Sequence, residues 1–82
     1  MMPELYDRVA LTTDVPEKGL HAGDVATLID YVDHPSGGPH GCVLEVFNAV
    51  GESIAVVTVP ESGIEPLHPN EVLAVRALAP AS

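Results

Sequence analysis

Two histidines and two aspartates in the middle of the chain are the residues best placed for metal chemistry. His34 and His40 lie in a loop rich in proline and glycine, and Asp30 and Asp33 precede it. Imidazole nitrogens and carboxylate oxygens are both zinc ligands. The spacing matches no established ligand pattern, however, and a glycine-rich loop holds ligands poorly. We therefore predict no metal and no cofactor, and the sequence leaves open whether the His34/His40 loop binds anything.

Nucleophilic side chains in the sequence lack the partners that catalysis requires. Ser36, Ser53 and Ser62 lie in no nucleophile-elbow motif, and no base is positioned beside them. The single cysteine, Cys42, lies in an apolar run and cannot form an internal disulfide. These observations predict that the chain is not an enzyme and that it is located in a reducing cytoplasm. The segment Met1–Asp7 lacks the pattern of a signal peptide.

The charge balance restricts the class of partner. The chain has twelve Asp and Glu residues but only three Lys and Arg residues, which gives a formal net charge of −9. Binding to nucleic acid or to an anionic membrane requires clustered basic residues, so both partners are disfavoured. The acidic surface favours another protein as partner, in particular a basic one, although high net charge also keeps small proteins soluble.

Five carboxylates are the candidate partner-binding residues. Asp14, Glu17 and Asp24 belong to a long first loop, and Asp30 and Asp33 lie at the second loop. We expect the two loops to adjoin at one end of the fold, where the carboxylates would form an acidic rim. Such a rim would increase the association rate of a basic partner through electrostatic steering.

Proline and glycine divide the chain into short apolar runs of strand length. The three-residue spacing of Ile64 and Leu67 predicts a 3₁₀ turn within Glu61–Pro69 that would bury both. In the last run, the alternation of side chains favours a strand over a short helix. The five predicted strands are Asp7–Thr12, Asp24–Val32, Cys42–Asn48, Glu52–Val59 and Glu71–Leu78.

The order of these elements predicts an all-β fold, a small five-stranded SH3-like barrel that forms one domain over residues 1–82, with loose termini at 1–5 and 79–82. The alternatives are an OB-like barrel and an open sheet with a C-terminal helix. If Phe47 is fully packed, its replacement by alanine should cost about 3–5 kcal/mol. The residues expected to be mostly buried are Val9, Leu11, Leu20, Val25, Ile29, Val43, Phe47, Ile54, Val56, Ile64, Leu67 and Val75.

Two stretches carry a family likeness, residues 5–30 and 44–59. They begin L-Y-D-R-V-A-L and L-E-V-F-N-A-V-G-E, respectively. Together they resemble a family of small bacterial proteins that is described only as a domain of unknown function. The segment G-D-V-A-T-L is also similar to the opening of KOW-type SH3-like barrels, except that Ala26 stands where those usually have glycine. The resemblance implies an SH3-like fold and implies no activity.

The functional hypothesis that follows is a non-enzymatic protein–protein interaction module. In a bacterium, a small acidic protein of this kind could serve as an antitoxin or immunity protein that inhibits a basic partner. The alternative is an accessory or regulatory SH3-like subunit of a bacterial enzyme. The sequence leaves the identity of the partner and the formation of a homo-oligomer open.

Overall fold

The computed structural model describes residues 3–33, 36–38 and 40–78. Of the termini predicted to be loose, residues 1–2 and 79–82 lie outside the described residues, as do His34, Pro35 and Pro39. The elements in chain order are β1 (Arg8–Leu11), a 3₁₀ turn (Pro16–Lys18), β2 (Val25–Val32), β3 (Gly41–Phe47), β4 (Ser53–Pro60), a second 3₁₀ turn (Glu61–Gly63) and β5 (Ile64–Pro66).

The five strands form one antiparallel sheet in the order β4-β3-β2-β1-β5. The predicted all-β class, the number of strands, the long first loop and the 3₁₀ turn before the last strand are confirmed. Among the described residues no ladder joins β4 to β5, so the closure of the sheet into a barrel stays a prediction.

One face of the sheet carries the core. Leu44 at the centre of β3 lies opposite Leu28 of β2 and opposite Val57 of β4, and all three side chains are buried. Leu20 folds inward from the first loop and is buried with them, as the sequence predicts. Four of the predicted core residues are confirmed as buried, and these are Val9, Leu11, Leu20 and Ile64.

The predicted facing of the β3–β4 hairpin is wrong. Phe47, Ile54 and Val56 are exposed, whereas the alternate face of β3, with Cys42 and Leu44, is buried. Glu45 explains the choice, because it shares a face with Phe47 and burying an unpaired carboxylate is costly. The remaining predicted core positions are half-buried, except for the exposed Val75 discussed below, and these are Val25, Ile29, Val43 and Leu67.

The predicted last strand is also wrong. Glu71–Leu78, which we call the C-terminal segment, has no regular secondary structure, and Val75 within it is exposed. The last strand is instead Ile64–Pro66, which pairs with β1 through the opposed residues Ile64 and Leu11. β1 therefore has β2 on one side and β5 on the other, and offers no free edge to the C-terminal segment.

Candidate functional site

A groove of about 670 Å³ lies between the sheet and the C-terminal segment. Each of the first four strands contributes to the wall on the sheet side, through Arg8, Val25, Phe47 and Ile54 in turn. The C-terminal segment supplies the opposite wall from Val72 to Arg76 and again at Leu78. We call this feature the C-terminal groove, and its lining is largely apolar.

Arg76 attaches the C-terminal segment to the first loop. Its Nε donates a hydrogen bond to Asp24 Oδ1 at 3.1 Å, and its Nη2 forms an ion pair with Asp24 Oδ2. The same Nη2 also donates to the backbone carbonyl of Gly19 at 3.1 Å. These contacts span 52 and 57 residues of sequence, and no local pattern in the sequence indicates them.

The ion pair changes the titration of both partners. Burial raises the pKa of Asp24, but hydrogen bonds from Arg76 and from the His21 backbone N–H outweigh burial, so the pKa is lowered overall. The hydrogen bond with Asp24 raises the pKa of Arg76. Both groups are therefore charged across the neutral range, and the C-terminal segment is held by a charged contact.

Two carboxylates of the first loop also organise the turn that forms part of the groove. Asp24 Oδ2 accepts a hydrogen bond from the His21 N–H at 2.7 Å. Asp14 Oδ1 accepts one from the Ala22 N–H at 2.9 Å. Short polar side chains commonly cap turns in this way. Asp14 and Asp24 thus have a structural role that the sequence analysis missed.

The predicted acidic rim is divided between two places. Asp24 immediately precedes β2 and Asp33 immediately follows it, so the eight residues of that strand separate them. At a rise of about 3.3 Å per residue the separation is of the order of 25 Å. The predicted convergence of the two loops is therefore wrong for this pair. Glu17 lies exposed in the first 3₁₀ turn, next to the loop tip that contacts Arg76.

The carboxylates at the second loop have local partners. Asp30 Oδ1 accepts a hydrogen bond from the Tyr31 N–H at 2.8 Å. Asp33 Oδ1 lies 2.9 Å from His40 Nδ1, and the imidazole of His40 packs edge-on against the Tyr31 ring. His34 lies outside the described residues. Within the ranges that the structure covers, no group of three or more His, Cys, Asp or Glu side chains is arranged to hold a metal ion.

The exposed side of the C-terminal segment is unusually apolar. Val72 and Val75 each expose 90% of their surface, and Leu73 exposes more than half. Single exposed apolar residues are common, but an apolar cluster beside a groove is typical of a binding surface. The alternation of residues 71–78 predicts a strand of the sheet, in which these side chains would not be available for recognition.

A comparison with protein families decides the classification. A family model described as a domain of unknown function, DUF4926, matches residues 5–66. The chain belongs to this family. The matched region ends with β5, so the sheet side of the C-terminal groove lies inside the DUF4926 domain and the C-terminal segment lies beyond it.

Neither the curated proteins nor the solved structures include a significant match to this chain. In the described part of the chain, no helix has the length and apolar character needed to cross a membrane. The family description names no activity, so the function must be argued from the site itself.

Proposed function

We propose that this chain is a non-enzymatic protein-binding module that binds a basic partner protein at the C-terminal groove. The observation that carries the proposal is the exposed apolar cluster of the C-terminal segment, beside an apolar groove, on a chain of net charge −9. Protein interfaces combine an apolar centre with a polar rim, and this surface offers both.

The apolar residues would supply most of the binding energy. Val72 and Val75 are almost fully exposed in the free chain, so a partner that covers them removes apolar surface from water. The gain is about 25 cal/mol for each Å² of apolar surface buried. Phe47, at 44% exposure, adds an aromatic side chain on the sheet side of the groove.

The carboxylates would make the chain selective for a positively charged partner. Asp14 and Glu17 belong to the loop that contacts Arg76, whereas the charge of Asp24 is compensated by Arg76 itself. The chain as a whole has twelve acidic residues and three Lys and Arg residues. A basic partner would be attracted at long range, and this attraction is screened as salt rises. An acidic partner would be repelled.

The biological role of this binding depends on which protein is the partner. We propose inhibition of a basic toxin, as an antitoxin or immunity protein performs it, as the first form. An accessory or regulatory role on a bacterial enzyme is the alternative. Identification of the partner separates the two, because a growth-inhibiting partner supports the first and a metabolic enzyme supports the second.

Affinity capture with the purified full chain tests the proposal. The wild type is compared with Val75→Lys, which places a charge on the apolar cluster, and with Val50→Lys, which makes the same change at an exposed turn residue outside the groove. We expect a basic protein to be captured by the wild type and by Val50→Lys, to be lost with Val75→Lys, and to be released at high salt.

The decisive contrast is between the two lysine variants. Capture of the same proteins in the same amounts by all three chains would contradict the assignment of the groove. A partner whose binding strengthens with salt would contradict the electrostatic part of the proposal. Circular dichroism of both variants confirms that the sheet is retained.

A further inference from the structure

Strand β4 forms one end of the sheet and has an unpaired edge. It pairs with β3 on one side, and no strand within the described residues pairs with it on the other. Among the backbone hydrogen bonds of the described residues, none outside the β3–β4 ladder involves residues 54–59. Alternate residues of an edge strand point their N–H and C=O groups outward, so this edge can accept another strand.

The sequence of β4 carries few of the features that normally prevent such pairing. The strand reads S-I-A-V-V-T-V-P and has no charged side chain over eight residues. Natural edge strands are usually short or carry lysine, proline or a bulge. Here the proline is the last residue, Pro60, and the bulge lies at Ile54 near the other end. The central part from Ala55 to Val59 is regular and uncharged.

We propose that β4 pairs antiparallel with β4 of a second copy of this chain, around a two-fold axis near the middle of the strand. The pairing would join two five-stranded sheets into one continuous sheet. This inference goes beyond the proposed function, because it uses a different surface and a different partner.

The charge pattern selects a second copy as the occupant of this edge. A strand that pairs with itself places identical residues near one another, so it must be free of like charges, and β4 is. A basic partner, in contrast, would require carboxylates beside the edge. The strand itself provides none, and the carboxylates around it are Glu45, opposite Val56 on β3, and Glu52 and Glu61, just beyond the two ends of β4.

The side chains of β4 are suited to the same contact. Val56 lies on the outer face near the middle of the strand and exposes 50% of its surface. In a pair related by a two-fold axis, Val56 of each copy would lie near its counterpart. β-branched side chains pack well against their neighbours on a pleated sheet, so this contact would favour the pairing.

The net charge gives this association a distinctive dependence on salt. Two copies of net charge −9 repel one another, and Glu52 and Glu61 flank the two ends of β4. Salt screens this repulsion, since the Debye length falls from about 10 Å at 0.1 M to about 3 Å at 1 M. Self-association should therefore strengthen with salt, whereas binding of a basic partner should weaken.

Sedimentation velocity over a wide range of protein concentration at these two salt concentrations tests the proposal. We expect a monomer–dimer equilibrium that shifts toward the dimer at 1 M salt. Val56→Lys should weaken dimerisation by about tenfold or more, because lysine on an edge strand opposes pairing and the two-fold axis brings two lysines together. Val50→Lys is the matched control and should dimerise as the wild type does.

Hydrogen exchange provides a measurement that does not depend on a variant. The outward-facing amides among residues 54–59 should become more protected as the concentration of the wild type rises. A wild type that stays monomeric at every concentration and salt would overturn the proposal and leave the basic-partner function intact. A dimer abolished by Val75→Lys but not by Val56→Lys would also overturn it, because the contact would then be the C-terminal segment.

Discussion

The two ends of the sheet differ in length and in charge, two properties that control strand pairing. β5 has three residues, I-E-P, of which one is a glutamate and one a proline. β4 has eight residues and no charged side chain. Short length and charge each discourage another strand from pairing at an edge, and only β5 has both. Both strands end in proline, so proline does not distinguish the two edges.

The difference leaves the longer and uncharged edge at β4. The same sequence that terminates β5 within three residues leaves β4 longer than the average strand of about five to six residues. Because β4 lies within the matched region of DUF4926, the long edge belongs to the family domain and not to the C-terminal segment.

The largest loss of stability is expected for a substitution in β3, the strand that pairs with the long edge strand β4. Leu44 is fully buried and contacts residues opposite it on both neighbouring strands. Leu44→Ala should lower the free energy of unfolding by about 2–5 kcal/mol, near the upper end because both β2 and β4 lose packing. Urea denaturation followed by circular dichroism measures it.

A smaller loss of stability is expected for a substitution in the short edge strand β5. Ile64 is the buried side chain of β5 and retains 9% exposure, so Ile64→Ala should cost less than Leu44→Ala within the same range of about 2–5 kcal/mol. Urea denaturation under the same conditions ranks the two. If Ile64→Ala proved the more damaging, the stability of the sheet would depend on β5 more than its three residues suggest.

These two residues show what the sequence could predict. Strands β1 to β4 were predicted with each end within one residue of its observed position. Glycine or proline marks most ends of β2 to β4, and alternation of apolar side chains marks β1. Ile64 was predicted to be buried, but in a 3₁₀ turn, because a three-residue strand is too short to show alternation. Its pairing with β1 depends on residues more than fifty positions away.

The site was less accessible to prediction than the fold. Both faces of β3 and of the C-terminal segment are apolar, so alternation alone could not decide which face is buried. Glu45 was the available signal for β3. For the C-terminal segment no signal existed, since the contact that positions it joins Arg76 to Asp24 across the chain.

The third prediction concerns the outer face of the sheet. Phe47 exposes 44% of its surface, so Phe47→Ala should cost about 1 kcal/mol, well below the 3–5 kcal/mol expected for a packed phenylalanine. Denaturation beside Leu44→Ala gives the comparison. A cost equal to that of Leu44→Ala would show that the outer face is covered in solution.

The smallest effect is expected at the Arg76–Asp24 ion pair and appears in its pH dependence. The pKa of Asp24 is lowered in the folded chain, below an ordinary value of about 3.9. The contact is therefore fully present above that value and is lost as pH falls through the folded pKa. NMR of the Arg76 Nε–H should report its loss only below about pH 3.9.

Asp24→Asn provides the control for this titration. The variant keeps an oxygen acceptor for the His21 N–H but removes the charge, so the Arg76 signal should no longer titrate with residue 24. Loss of the Arg76–Asp24 contact near neutral pH in the wild type would contradict the assignment, because neither partner changes charge there.

The buried thiol of Cys42 can report local opening of the sheet at β3. Cys42 is the only cysteine, has no exposed surface, and lies on β3 between β2 and β4. Burial, and then the nearby charge of Glu61, raise the pKa of the thiol, which keeps it protonated and unreactive in the folded state. A thiol reagent should therefore label the chain only when β3 is uncovered. The labelling rate then measures how often the centre of the sheet separates.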